Sequence, residues 1–292
     1  MKPNRLCLVL TLLAICLSAC ATRRLTQFNT FAQAGVTYTT TSQAVVTDAA
    51  AATVNADSAL LIHYRSNLGE DARRTRINQS DNNLKERLQL LQLINAHGKV
   101  LAAYFTTLAS LSDPKATDTT GTAAESAYNA FAKVSPELKN AKLGSTTVAS
   151  LIPTITAPLV AVFKAHALDS QLKKHAKDIA DEIALQQAAF AVIKQEFKTD
   201  LQAAQNLREV DNINEFVSVG ALSADWSIER QSLLSTPVTI AQSDAASKAA
   251  DQMGKAWADL VANKLDSNGL TLLMGDISNI LSIAQSITGT KS

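Results

Sequence analysis

Residues 25–67 read LTQFNTFAQAGVTYTTTSQAVVTDAAAATVNADSALLIHYRSN. Taken at alternating steps of three and four, Phe28, Phe31, Gly35, Tyr38, Ser42, Val45, Ala49, Ala52, Ala56, Ala59 and His63 fall on a single line. That spacing keeps one face of a helix toward its neighbours, as in a bundle or coiled coil. Most positions on the line are small, so a second helix can come close. The run Val36-Thr37-Tyr38-Thr39-Thr40-Thr41 has strand propensity, because β-branched residues lose χ1 freedom in a helix. The longer period outweighs it, and a helix of roughly 60 Å is expected at 1.5 Å per residue.

Two more stripes of the same kind follow. Leu90, Ile94, His97, Leu101, Tyr104, Leu108 and Leu111 mark a helix over 81–112, stopped by Asp113-Pro114. Leu168, Leu172, His175, Ile179, Ile183, Gln186, Phe190, Ile193, Phe197, Leu201 and Ala204 mark the longest pattern, extending toward Glu215. Residues 67–83, polar and arginine-rich, read as a hairpin tip or a frayed helix end. Shorter helices are expected over 124–134, from Ser135-Pro136-Glu137 as N-cap, N1 and N2, and over 238–265 behind Thr236-Pro237. Residues 216–235 are weakly patterned. Asp266-Ser267-Asn268-Gly269 reads as a turn before a last helix carrying Leu270, Leu273, Ile277, Ile280, Ala284 and Ile287. No alternation of strands and helices and no fixed repeat occurs. The expected fold is all-α: an elongated antiparallel helical bundle of about five to seven helices, some long and coiled-coil-like. Residues 25–292 form one domain, with a weak boundary at 113–123.

The N-terminus carries a second message. Lys2 and Arg5 precede an apolar run from Leu6 to Leu17, which closes on Leu17-Ser18-Ala19-Cys20. The run is too short for a spanning helix, which needs roughly 20 apolar residues. Basic flank, apolar stretch and lipobox together resemble the signal of bacterial lipoproteins. That resemblance implies cleavage after Ala19, so that residues 1–19 are a signal peptide. It also implies S-diacylglyceryl and N-acyl groups on Cys20, and a short tether over 20–24. Ala21 follows the cysteine where many retained lipoproteins have aspartate, and the resemblance therefore implies the outer membrane, facing the periplasm. Arg23 and Arg24 stand three and four residues from the anchor, placed for contact with an anionic membrane surface.

Composition limits the alternatives. Cys7, Cys16 and Cys20 are the three cysteines, so a chain starting at Cys20 has no free thiol and no disulfide. Loss of Lys2 and Arg5 from 27 basic residues leaves 25 against 26 acidic ones, a balance that argues against nucleic acid as a partner. The histidines are His63, His97, His166 and His175, and no Glu-x-x-His or His-Glu-x-x-His places them as a metal site. Adjacent Asp181-Glu182 and Glu70-Asp71 point about 100° apart on a helix and cannot face each other across a substrate. Neither Gly-x-Ser-x-Gly nor a phosphate-cradling glycine loop occurs. No catalytic residue, metal or cofactor is expected.

Arg73, Arg74 and Arg76 are the candidate contact for an anionic partner, since clustered guanidiniums grip phosphate and carboxylate groups. Residues 143–162, uncharged and punctuated by Pro153 and Pro158, suit a buried crossover; they are similar in layout to the membrane-inserting tongue of helical pore-forming toxins. The leading reading is a non-enzymatic, lipid-anchored envelope scaffold, adaptor or spacer with a protein partner in the envelope. The alternative is a periplasmic binding or inhibitor module; a toxin-like protein or an enzyme is more remote.

Overall fold

In the computed structural model the backbone is described for residues 3–113, 116, 118–154, 166–218 and 220–288. Side chains are described from Arg24 to Ile283 within those ranges, except at 118, 166, 167, 169, 196, 197 and 200. The fold is an all-α bundle. Its helices are α1 (Pro3–Arg65), α2 (Glu70–Leu111), α3 (Asp118–Asn129), α4 (Phe131–Asn140), α5 (His166–Val192), α6 (Lys198–Ser218), α7 (Trp226–Val261) and α8 (Ser267–Thr288). A π-helical turn, Ile193–Phe197, joins α5 to α6, so the two form one rod of roughly 80 Å. The described residues thus hold seven helical rods. The only strands among them are β1 (Lys142–Leu143) and β2 (Thr146–Thr147), an antiparallel pair turned by Gly144 at φ +59°.

The α1 stripe is the spine. Phe28, Phe31, Tyr38, Ser42, Val45, Ala49 and Ala56 are buried, and α1 packs chiefly on α2, then on α7 and α6. At Gly35 the helices come so close that a Cβ would stand 2.6 Å from the Phe105 ring. Phe31 meets Phe105 edge-on at 5.8 Å, and Phe28 and Phe31 lie 6.4 and 5.6 Å from Trp257 of α7. The Trp257 indole N–H donates to the Ala176 carbonyl of α5 at 3.0 Å. Four helices are therefore keyed at one level. Below it, two amides of α1 reach neighbouring elements. Asn29 donates to Ala109 O at 3.1 Å, at the C-terminus of α2, and Gln27 donates to Leu265 O at 3.1 Å between α7 and α8. Ala109 lies in the last turn of α2 and Leu265 in the α7/α8 connection, so the two bonds tie α1 to both at the proximal end.

The Thr37–Thr41 conflict is resolved locally. Thr37, Thr39 and Thr40 each donate to a carbonyl four residues back, at 2.9–3.1 Å. The hydroxyls are thus satisfied within the helix, with Thr39 fully buried. All seven stripe positions of α2 are buried, as are Leu168, Leu172, His175, Ile179, Ile183, Gln186, Phe190, Ile193, Leu201 and Ala204 on the α5–α6 rod.

Several boundaries differ from the sequence expectation. The α1 backbone is helical from Pro3, through residues 20–24 where a separate tether was expected; Ala21, Thr22, Arg23 and Arg24 contain no helix breaker. Of residues 67–83, expected as a hairpin tip or a frayed helix end, only 67–69 belong to the turn, and 70–83 are regular helix. Gly69 takes the extended N-cap conformation, Glu70 and Asp71 sit where the helix dipole favours carboxylates, and Glu70 pairs with Arg74 at i+4. Ser135-Pro136 lies inside α4, because the Ser135 hydroxyl donates to Glu182 instead of capping. Thr236-Pro237 lies inside α7, with Thr236 bonded back to Ser232 O at 3.1 Å. The turn near 266 sits earlier, with Asn263 at φ 59°, and Asp266 instead accepts from the Gly269 N–H at 2.8 Å to start α8. Nothing in the three–four stripe foretold the π turn. Of the uncharged segment 143–162, residues 155–162 lie outside the described residues, as do the side chains of Ala284 and Ile287. By length and composition Arg24–Arg65 is apolar enough to cross a membrane; here its apolar line is packed against other helices.

Gly35→Ala should lower stability by about 1–3 kcal/mol in chemical denaturation, since the added methyl meets a ring held on all sides. Combining it with Phe105→Leu should recover part of that loss. A neutral Gly35→Ala would show that this approach does not set the helix spacing.

Candidate functional site

Two regions collect polar and charged groups. The first is a buried layer where α2, α3 and α4 meet α5. His97, fully buried, has Nδ1 2.7 Å from Gln186 Oε1 and Nε2 2.9 Å from Glu182 Oε2. Ser135 donates to the same Glu182 oxygen at 2.6 Å. The carboxylate thus stands between hydroxyl and imidazole, an order that gives Ser135 no base at its oxygen beyond the carboxylate itself. Both ring nitrogens thus face oxygens of α5, and the two contacts tie α2 to α5. Glu182 also lines a cavity of about 390 Å³ with Tyr128, Ser135 and Lys139.

Nearby, His175 Nε2 lies 2.8 Å from Glu125 Oε2, and Lys174 donates to the other Glu125 oxygen at 2.7 Å. Tyr128 lies against the His175 ring at 3.7 Å between centroids and donates to Asp178 at 2.8 Å. Burial, then the hydrogen bond to Asp178, pushes the Tyr128 phenol up to about 12. The hydrogen bonds from Lys174 and His175 hold the Glu125 carboxyl down at about 2. These contacts fasten α3 to α5; both nitrogens of His97 have partners inside the bundle, whereas His175 is bonded through Nε2 alone and its buried Nδ1 lies 3.8 Å from Asp178. Among the described residues no group of three or more metal-type side chains converges.

The second region is the end of the bundle farthest from residue 24. Asp48 bonds to Gln242 partway along, and His63 Nδ1 meets Asp211 at 3.0 Å near the tip. The Trp226 indole donates to Asn212 O at 3.3 Å, and Arg208 to Ser232 at 3.0 Å. The α5–α6 rod therefore runs parallel to α1, while α2 and α7 return antiparallel. The α1/α2 turn and the α6/α7 turn emerge side by side. This end has almost no core: no residue of 70–89, 57–65 or 226–232 is buried.

Arg73, Arg74 and Arg76 lie here, together with Arg65. With Leu61, Ile62, Leu68 and Ile77 they line a mostly apolar groove of about 410 Å³. Arg74 pairs with Glu70 at 3.2 Å in full solvent, and Arg76 stacks over Tyr64 at 5.3 Å. Ile62 is 67% exposed and Ile77 46%. On the neighbouring hairpin Phe216 is 64% exposed, Val217 74% and Ile228 64%; Phe216 stacks on Trp226, which Arg230 covers at 5.5 Å. Sequence reasoning found the arginines but not these apolar partners, because an exposed Ile or Phe reads as core until the packing is known. At the opposite end Arg24 is half-buried, and desolvation lowers its pKa. The side chains of Cys20 and Arg23 lie outside the described residues.

A carboxyl held low in the fold adds stability above its ordinary value, 4.5 for Glu125, and that stability is lost as pH falls toward about 2. Glu125→Gln should therefore be less stable than the parent at pH 7, and the gap should close between about pH 5 and pH 2 in denaturant titrations. A gap that does not change with pH would remove the ionic role assigned to Glu125. No family model, curated protein or solved structure matches this chain.

Proposed function

We propose that the protein is a non-enzymatic, lipid-anchored scaffold or spacer of a bacterial cell envelope, held at Cys20 in the outer membrane and facing the periplasm. The observation that carries the reading is polarity along the rod. The lipobox lies at the N-terminal end of α1, and the coreless, arginine-lined apolar groove lies at the other, roughly 60 Å away along residues 24–65. Several acyl chains on one cysteine give stable anchoring, where a single chain gives only marginal binding. The long helices then set the distance between the lipid anchor and the contact surface. The work is geometric, and the partner is an envelope protein that meets the distal end through Arg73, Arg74, Arg76 and the apolar residues beside them.

The reading is tested in cells by metabolic labelling with an alkyne fatty acid, combined with a photo-crosslinking amino acid at Ile62 or Phe216. The parent chain should take up the lipid label and fractionate with membranes, and Cys20→Ser should lose both. Probes at the distal end should give discrete cross-linked species, and probes at exposed positions midway along the rod should give none. An unlabelled, freely soluble parent chain, or a distal end that crosslinks nothing, would overturn it.

A further inference from the structure

We infer that the partner at the distal end is a second copy of this chain, the two molecules meeting end to end with the α1/α2 hairpin of each against the α6/α7 hairpin of the other. The inference rests on the scaffold reading above and adds the identity of the partner: with both copies anchored in one membrane, the two-fold axis stands along the membrane normal and the joined rods lie along the surface between their two anchors.

Charge is the first argument. Over residues 60–80 the α1/α2 hairpin carries Arg65, Arg73, Arg74 and Arg76 against Glu70 and Asp71, and is net positive. Its neighbour carries Arg208 and Arg230 against Glu209, Asp211, Glu215, Asp225 and Glu229, and is net negative. The His63–Asp211 contact holds the two side by side on one end face. A two-fold axis lying in that face, perpendicular to the line joining the hairpins, places each positive hairpin on a negative one. An isologous contact requires this kind of self-complementarity. The other in-plane axis would set like against like, which is unfavourable.

Exposed apolar surface is the second argument. Ile62 and Ile77 on one hairpin, and Phe216, Val217 and Ile228 on the other, give both halves large side chains to bury. A contiguous apolar surface rimmed by charge is the usual mark of a protein contact. An anionic lipid surface fits less well, because the arginines cannot approach it without bringing the five carboxylates of the adjacent hairpin. The lack of core beneath these hairpins points the same way, since a second copy would supply the apolar contacts that the single chain does not make.

The test uses the full chain in cells. Two differently tagged copies are co-expressed, one with Ile77→Cys and the other with Phe216→Cys, and disulfides are read after mild oxidation on a non-reducing gel. The chain's own thiols are Cys7, Cys16 and Cys20, so copies without an engineered cysteine set the background. The 77–216 pair should form a mixed-tag dimer well above the 77–77 pair. Reversing Arg73, Arg74 and Arg76 to glutamate in the Ile77→Cys copy should cut the yield on the order of tenfold, as expected for several modest ion pairs acting together. Reversing Glu215 and Glu229 to arginine in the Phe216→Cys copy should restore it. Circular dichroism of each variant controls for folding. Equal yields from the two pairs, no restoration, or no dimer at all would overturn the inference. Distal photo-crosslinks only to a different protein, or only to lipid, would also overturn it; the first of these would leave the scaffold reading standing.

Discussion

The Phe105 ring can reach the α1 backbone only because position 35 has no Cβ, and much of the bundle's geometry follows from that approach. Phe31, one turn earlier, meets Phe105 edge-on and also contacts Trp257 of α7. Trp257 in turn donates its indole proton to α5. A single level of the molecule thus fixes the height and spacing of four helices, and helices are stiff enough to carry that register far along their axes. Asp48 faces Gln242 and His63 faces Asp211 at successive distances from this level. The two distal hairpins finish side by side because their helices are locked together near the other end.

Periodicity made the long helices legible in the sequence. The stripes on α1, α2 and α5 became buried faces almost position for position, since a three–four spacing sustained over many turns leaves few other structures open. Punctuation was less reliable. Ser135-Pro136 and Thr236-Pro237 both resemble helix starts, yet each hydroxyl is bonded elsewhere, Ser135 to Glu182 and Thr236 to Ser232. A cap signal depends on where one hydroxyl points, and tertiary contacts decide that. The same limit applied to residues 70–83, where a polar sequence without a stripe read as a hairpin tip or a frayed helix end. Glu70, Asp71 and the Glu70–Arg74 pair favour helix there without any buried face.

At the candidate site the split runs along chemical lines. Arginines were visible as a cluster because charge is legible in one dimension. The apolar residues beside them were not, because Ile77 and Phe216 lie well over a hundred residues apart and meet no core that would mark them as surface. His97 and His175 stand on the sequence stripes and are buried, but their partners Glu182, Gln186 and Glu125 come from other elements and could not be paired in advance.

What separates the two ends of the rod is how much apolar surface each one buries. Near residue 30 the α1 stripe is Phe, Phe and Tyr, and two side-chain amides tie α1 to the elements around it. Beyond Ala49 the stripe is reduced to alanines and ends at a half-exposed histidine, and the facing part of α2 has no buried residue until Leu90. Burial of an apolar side chain contributes about 1.5–3 kcal/mol, so the distal hairpins rest on far weaker support than the proximal core. Segments with few buried contacts open locally at low free-energy cost. Large apolar side chains on such a segment favour any contact that covers them, and opposite net charge on the two hairpins restricts which surfaces can do so. The distal end therefore combines weak internal support with a selective outer face, and it is the part of the bundle where association would contribute most to order.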